Sequence, residues 1–170
     1  LGTERPDDAI RHFETARLSF AATLNNEPDL ADRELALYGL AACLANLGVA
    51  HRQAGRLVGA RAALIEAAEI YSRLNAKLDE SAVRRIAAAC HFDDREWALG
   101  TAQLNIAEHL ARDVQNDAAL VEALELRARV AATLERYEEA RESLLEAIAH
   151  SEKESLSKRR RLFQMTATIH

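Results

Sequence analysis

Small and apolar residues recur along this chain with a fixed period of about 40 residues. Within each set the spacing of four and then three residues lies along one face of a helix. A leucine or an aromatic residue stands three positions ahead of each set. The three sets are Leu57, Ala60, Leu64, Ala67; Trp97, Gly100, Leu104, Ala107; and Tyr137, Ala140, Leu144, Ala147. A fixed period of this length predicts stacked supersecondary units in place of a single layered core.

The 3.6-residue periodicity and the helix-start signals between apolar stretches predict seven helices. Asp79 is expected to cap the fourth helix, and Asp93 with Asp94 to open the fifth. Asn116 with Asp117 is expected to open the sixth. Connections are short, so consecutive helices should be antiparallel, and no run of alternating β-branched residues predicts a strand. The predicted spans are about 7–24, 29–53, 57–74, 80–91, 95–113, 117–134 and a last helix from near Tyr137 to beyond residue 160.

Composition supports helix and limits the classes of partner. The chain has 35 alanines and only two prolines, Pro6 and Pro28, so little opposes helix formation. Its net charge of −5 argues against a general nucleic-acid binder. We identify no signal peptide and no apolar run near the ~20 residues of a membrane span, which predicts a cytoplasmic segment without membrane contact. The excess of alanine, with only three lysines, indicates a GC-rich and bacterial genome.

The helical pairs resemble tetratricopeptide repeats, although the period is longer than that family's ~34 residues. The clearest unit begins at Ala41 and has Gly55 in its turn. Its first helix carries Leu44, Leu47, Gly48 and His51, and its second carries Leu57, Ala60, Leu64 and Ala67. The long period resembles the repeats of bacterial regulators, namely the sensor arms of LuxR-type activators, histidine kinases and diguanylate cyclases.

The resemblance implies an all-α, right-handed superhelix of about three and a half helical hairpins within residues 1–150. Full repeats are expected at about 41–74, 81–114 and 121–154, with a partial repeat at 7–24. Two residues depart from the pattern: Arg84 stands at an apolar site, which suggests a rotated or shifted helix, and Arg127 stands where Leu47 stood. HEAT or armadillo-type pairs are the alternative fold, but they lack the small–small contact expected between Gly48 and Ala60.

In the tetratricopeptide family the first helix of each repeat lines the concave face, and this resemblance supplies candidate binding residues. They are Val49, Arg52, Arg85, Phe92, Glu125 and Arg129. The arginines could receive acidic groups of a peptide and Phe92 an apolar side chain. The alternative is that the arginines pair within the groove, for example Arg129 with Glu125, four residues before it on the same helix.

Residues 151–170 break the repeat and are expected to extend the last helix. Four apolar residues in this segment form a thin heptad stripe and are candidates for a homodimer contact or a signalling linker: Leu156, Leu162, Phe163 and Ile169. The alternative is a cap of the solenoid that runs into solvent.

The sequence therefore predicts a non-catalytic module that binds a protein or peptide and serves as a sensory or scaffolding part of a larger signalling protein. No catalytic constellation, metal-ligand spacing or phosphate loop is found, so no cofactor or metal is predicted. Cys43 and Cys90 lie in apolar stretches without CxxC spacing, which favours buried reduced thiols. Alternative functions are a homodimerisation module, a small-molecule sensor with a pocket between repeats, and a fragment of a helical enzyme.

Overall fold

The computed structural model describes residues 6–26, 29–151 and 156–167, the last range without the side chains of 156–160. Within these ranges it contains helices and no strand, which confirms the all-α prediction. The helices are α1 Pro6–Asn25, α2 Leu30–Gln53, α3 Leu57–Arg73, α4 Lys77–Asp93, α5 Trp97–Asp113, α6 Asp117–Thr133, α7 Tyr137–His150 and α8 Leu156–Ala167. Each helix packs against the next, and α4 also contacts α2 and α6. The chain is therefore a superhelix of stacked hairpins, with the even-numbered helices along one face.

The helix boundaries repeat the period of the sequence. Helices α3, α5 and α7 begin at the equivalent residues Leu57, Trp97 and Tyr137, and α4 and α6 have equal lengths. The spacing from Ala9 to Ala60 exceeds this period, so α1 and α2 together are longer than the later pairs of consecutive helices. Helix α2 has 24 residues against 17 in α4, and α1 has 20 residues against 17 in α3. With a slightly longer connection between α1 and α2, these differences account for the whole surplus.

The turns between helices α2 to α7 share one backbone geometry that recurs at a regular interval, twice in each repeat. The central residue of each turn has a left-handed backbone: Gly55 (φ 72°), Asn75 (53°), Arg95 (59°), Gln115 (52°) and Glu135 (59°). In each turn the amide after this residue donates to a carbonyl five positions back. This is the Schellman arrangement, which satisfies the free carbonyls of a helix end.

Two predicted helix starts are wrong because these turns set the boundaries. Asp79 lies in the first turn of α4, and its carboxylate accepts a hydrogen bond of 2.9 Å from the Tyr38 hydroxyl instead of capping. Asp93 is the last residue of α4 and Asp94 its C-cap, so neither opens α5. The predicted start at Asn116 is confirmed, since its side chain accepts from the Ala119 amide.

The periodic positions form the core. The Ala or Gly, Leu and Ala of each periodic set are all buried, with the leucines Leu64, Leu104 and Leu144 at most 1% exposed. The predicted small–small contact is also present: a Cβ at Gly48 would lie 2.5 Å from Cγ of Leu64 and 3.2 Å from the Ala60 carbonyl oxygen. Gly48 thus allows the two helices of this hairpin to touch.

The arginine that departs from the apolar pattern on α4 is held by polar partners in its own hairpin. Arg84 donates to the buried carboxylate of Glu80 and to the side chain of Gln103 on α5. Val83, Ala87 and Cys90 remain buried on the same helix, and α4 ends in register with α2 and α6. The expectation that this helix is rotated or shifted is therefore wrong.

The prediction that residues 151–170 continue the last helix is also wrong. Helix α7 ends at His150, and the hydroxyl of the next residue, Ser151, donates to the Ile148 carbonyl. Helix α8 is a separate element that packs against α7. Its first residue, Leu156, comes nearly one repeat period after Asp117, the first residue of α6. Helix α8 therefore takes the place of the first helix of a further hairpin.

Helix α2 has the length and hydropathy of a membrane span. Its most apolar 18-residue window has a mean hydropathy of 1.2, so the prediction that no stretch reaches these values was wrong. The core helix of a soluble protein can have the same length and composition. In this fold α2 packs against α1, α3 and α4.

Candidate functional site: a groove along the even-numbered helices

Two adjoining cavities lie along α2, α4 and α6. The Val49 cavity, of about 400 Å³, and the Phe92 cavity, of about 270 Å³, share Arg52 and Asp93 on their walls. The Val49 cavity is lined by Val49, Arg52, Gln53, Arg85, Ile86 and Asp93. The Phe92 cavity is lined by Arg52, Ala89, Phe92, Asp93, Trp97, Leu126, Arg129, Val130 and Thr133. Five of the six concave-face candidates therefore line one continuous groove, and Glu125 is the exception.

Two of the three groove arginines are already paired with carboxylates of the next hairpin. Nε of Arg52 on α2 lies 2.8 Å from Oδ2 of Asp93 on α4. Nη2 of Arg85 on α4 lies 2.7 Å from Oε2 of Glu122 on α6. For these two arginines the structure supports the alternative that they pair within the groove. Their charges link successive hairpins and are largely neutralised there.

Arg129 differs from the other two. Its side chain is exposed on the wall of the Phe92 cavity and makes no hydrogen bond or ion pair within the part of the chain that the structure describes. The expected intrahelical pair between Glu125 and Arg129 is not formed. The carboxylate of Glu125 instead accepts a hydrogen bond from Arg161 of α8. Among the described residues, Arg129 is thus a positive charge in the groove without a compensating partner.

Glu125 lines neither of the two cavities, and its carboxylate is bound by Arg161. Its side chain is only 10% exposed, and Oε1 is buried without a hydrogen-bond partner among the described residues. The sequence could not show this, because the partner of Glu125 lies on α8, which was expected to continue away from the stack.

An aromatic pair forms one wall of the Phe92 cavity. The rings of Phe92 and Trp97 are stacked, with centroids 6.2 Å apart and an interplanar angle of 27°. A Cβ at Gly100 would lie 2.4 Å from Cε1 of Phe92, so the absence of a side chain at this position makes room for the ring. Sequence reasoning placed Trp97 only as a marker of the repeat. The residue that could have indicated this aromatic pair is Gly100, because the equivalent positions in the other repeats, Ala60 and Ala140, carry a Cβ.

The four candidates for self-association are separated by the structure. Leu162 is fully buried in a cluster with Leu124, Leu144 and other residues of α5 to α7, so it is unavailable to a second chain while α8 is docked. Phe163 is 54% exposed. Leu156 begins α8, but its side chain is not described, and Ile169 lies outside the described residues.

The two cysteines and the histidines at the equivalent positions 51 and 91 have the environments of structural residues. Burial raises the pKa of the Cys90 thiol to about 11 and, more weakly, the pKa of Cys43, so both thiols are protonated at neutral pH. Nδ1 of His91 lies 2.7 Å from Oε2 of Glu96 in the turn that follows it. Nδ1 of His51, at the equivalent position, is buried without a partner in the described ranges. Among the described residues, no group of three or more His, Cys, Asp or Glu side chains is placed to hold a metal ion.

Comparison with known proteins adds no functional assignment. No protein-family model matches the chain, and no curated protein matches it.

Proposed function

We propose that the groove along α2, α4 and α6 binds a peptide segment of a protein partner, and that the chain is a non-catalytic sensory or scaffolding module. The observation that carries this proposal is the guanidinium of Arg129, unpaired among the described residues, beside the stacked rings of Phe92 and Trp97 in one cavity. As part of a larger signalling protein of the bacterial cytoplasm, the module would recognise its partner without chemistry of its own.

The groove has the character of a peptide site. Arginine and tryptophan are the residues that most often dominate protein interfaces, because each combines a large contact area with directional polar atoms. The lining of the Phe92 cavity combines the two rings, Leu126 and Val130 with the positive charge of Arg129, while Arg52 and Asp93 neutralise each other. A bound segment would therefore carry an apolar side chain next to a carboxylate. The Val49 cavity extends the same groove and gives room for the neighbouring residues of that segment.

Peptide display against the purified protein tests this proposal. We expect enrichment of segments with an apolar residue adjacent to Asp or Glu. Arg129→Glu should weaken binding of the enriched peptides by about tenfold or more, because a charge-assisted contact is replaced by repulsion. Fluorescence anisotropy with a labelled peptide measures the change.

The matched control is Arg141→Glu on α7, where the arginine is exposed and, among the described residues, makes only a long ion pair with Glu138 at 3.8 Å. This variant makes the same change in net charge and should leave affinity unaltered. Equal loss in both variants would indicate long-range charge effects and not a groove contact. Full binding by Arg129→Glu would refute the site.

A further inference from the structure

Glu125 stands between two possible cationic partners. It lies on α6 four residues before Arg129, and its carboxylate accepts a hydrogen bond from Nη2 of Arg161 on α8. The side chain is nine-tenths buried, and Oε1 has no partner in the described ranges. A carboxylate in this position strongly favours a nearby cation, since an uncompensated buried charge is destabilising.

The docking of α8 decides which cation is used. Leu162 is fully buried in the cluster that includes Leu124 and Ala128 of α6. The residue before it, Arg161, is thereby held at Glu125. When α8 is displaced, Arg129 is the cation left within one helical turn of Glu125 on α6, because Arg127 is held by Glu108. A glutamate four residues before an arginine has the favourable geometry for an intrahelical pair.

We propose that α8 controls the groove through this exchange of partners. With α8 docked, Glu125 binds Arg161 and Arg129 is free to receive an acidic group. With α8 displaced, Glu125 competes for Arg129 and the acidic subsite is weakened. The inference rests on the proposed function of the groove and adds its regulation.

The two states make binding and docking reciprocal. A ligand that uses Arg129 binds the docked state better, so it must also stabilise the docking of α8. Displacement of α8 by another part of the signalling protein would in turn release the ligand. The position of α8 therefore reports whether the groove is occupied.

A set of variants tests the exchange with a defined probe. The probe is a fluorescent hexapeptide, Gly-Ala-Leu-Glu-Ala-Gly, compared with its analogue that has Gln in place of Glu. Arg161→Ala should weaken binding of the acidic probe about two- to threefold, as expected for competition with an intrahelical pair. Adding Glu125→Gln to Arg161→Ala should restore the wild-type affinity, because the competing carboxylate is gone. The analogue should show no dependence on either change.

A second measurement needs no ligand. In nuclear magnetic resonance spectra, the Nε–Hε signal of Arg129 should shift in Arg161→Ala and return in the double variant. With the acidic probe added to the wild-type protein, the amides of 156–167 should exchange more slowly with deuterium. An unshifted Arg129 signal in Arg161→Ala, or a double variant that fails to restore the signal, would overturn the exchange.

The outcomes separate the two proposals. If Arg129→Ala binds the acidic probe as well as the wild-type protein does, the groove site fails whatever α8 does. If Arg129→Ala removes the preference for the acidic probe while Arg161→Ala and the double variant bind like the wild type, the site stands and the control by α8 fails.

Discussion

Five residues at equivalent places in successive turns hold a left-handed backbone, and only Gly55 among them lacks a Cβ. For other residues this conformation costs about 1 kcal/mol or more, because Cβ approaches the following carbonyl oxygen. Asn75 tolerates it best of the remaining four, since its short side chain can hydrogen-bond locally. The chain accepts this strain at Arg95, Gln115 and Glu135 because the turn satisfies the carbonyls at each helix end.

Glycine at a strained turn should therefore stabilise the fold. We expect Glu135→Gly to raise the free energy of unfolding by up to about 1 kcal/mol. Gly55→Ala should lower it by about 1 kcal/mol, and for a backbone reason alone, since a Cβ at Gly55 meets nothing within 4 Å. Urea denaturation followed by circular dichroism measures both changes. Equal stability of Gly55→Ala and the wild type would contradict the explanation.

At the residue scale, the sequence placed the groove arginines but not their partners. Position in the repeat was enough to bring Arg52, Arg85 and Arg129 to one face. The acceptors Asp93 and Glu122 each lie on the next even-numbered helix, so their distances depend on how one hairpin sits on the next. Local spacing explains the pair of Glu80 with Arg84, four residues apart on α4. It failed for Glu125 because a more distant arginine competed.

Between the elements α5 and α6, an ion pair replaces apolar contact. Nε of Arg127 lies 2.7 Å from Oε1 of Glu108, whose side chain is only 8% exposed. Arg127 also donates to the side chain of Asn105, and Arg112 lies 3.5 Å from the second carboxylate oxygen of Glu108. One period earlier the equivalent positions, on α3 and α4, are Ala68 and Ala87, both buried. The departure of Arg127 from the repeat pattern is thus compensated by a partner on the preceding helix.

Removing one member of this pair should destabilise the protein more than removing both. We expect Arg127→Leu to lower the free energy of unfolding by about 1–3 kcal/mol, because it leaves Glu108 buried with only the distant Arg112. The double variant Glu108→Ala with Arg127→Leu should return to within about 1 kcal/mol of the wild type. Equilibrium urea denaturation of the three proteins tests this. A double variant as unstable as Arg127→Leu would show that the site cannot accept apolar residues.

Helix identity was predictable from the periodicity, but several boundaries were not. The turns at Arg95 and Glu135 carry neither glycine nor proline, so propensity rules extended or shifted the adjacent helices. The end of α7 at His150 has no glycine signal either, and the heptad-like spacing beyond it suggested one continuous helix. Where a recognised signal was present, as at Asn116, the boundary was found.

At the scale of the whole molecule, the superhelix follows from the long sequence period because the same buried positions recur in each hairpin. A hydrogen bond from Tyr38 also joins the first two full hairpins. Tyr38 and Tyr71 meet edge to face with centroids 5.4 Å apart, and Asp79 accepts the hydroxyl of Tyr38. Burial raises the pKa of Tyr71 to about 12, with Asp79 adding to the effect. We therefore expect this buried tyrosine, together with Cys90, to make the fold sensitive to alkaline pH.

Stability should fall above about pH 9. Both groups have a pKa that is higher in the folded chain than in the unfolded chain, where they ionise near 9.0 for Cys90 and 10.0 for Tyr71. Their neutral forms therefore contribute stability that is fully present below those values and is lost as pH rises toward about 11 and about 12. Melting temperatures from pH 8 to pH 12 should show a continuous decline.

Cys90→Ala provides the control. Between pH 9 and pH 11 the free energy of unfolding of this variant should fall less than that of the wild type, by an amount on the order of 2 kcal/mol or less. Parallel declines would mean that the thiol is not protected by burial in the folded chain.

The uniform turns have a consequence for how such a chain can change in length. Because the same backbone bend ends α2, α4 and α6, a gene cut at one bend and rejoined at the next equivalent one would join ends of matching geometry. Whole hairpins could then be duplicated or lost by recombination without a new junction having to be invented. The groove would lengthen or shorten by one hairpin at a time.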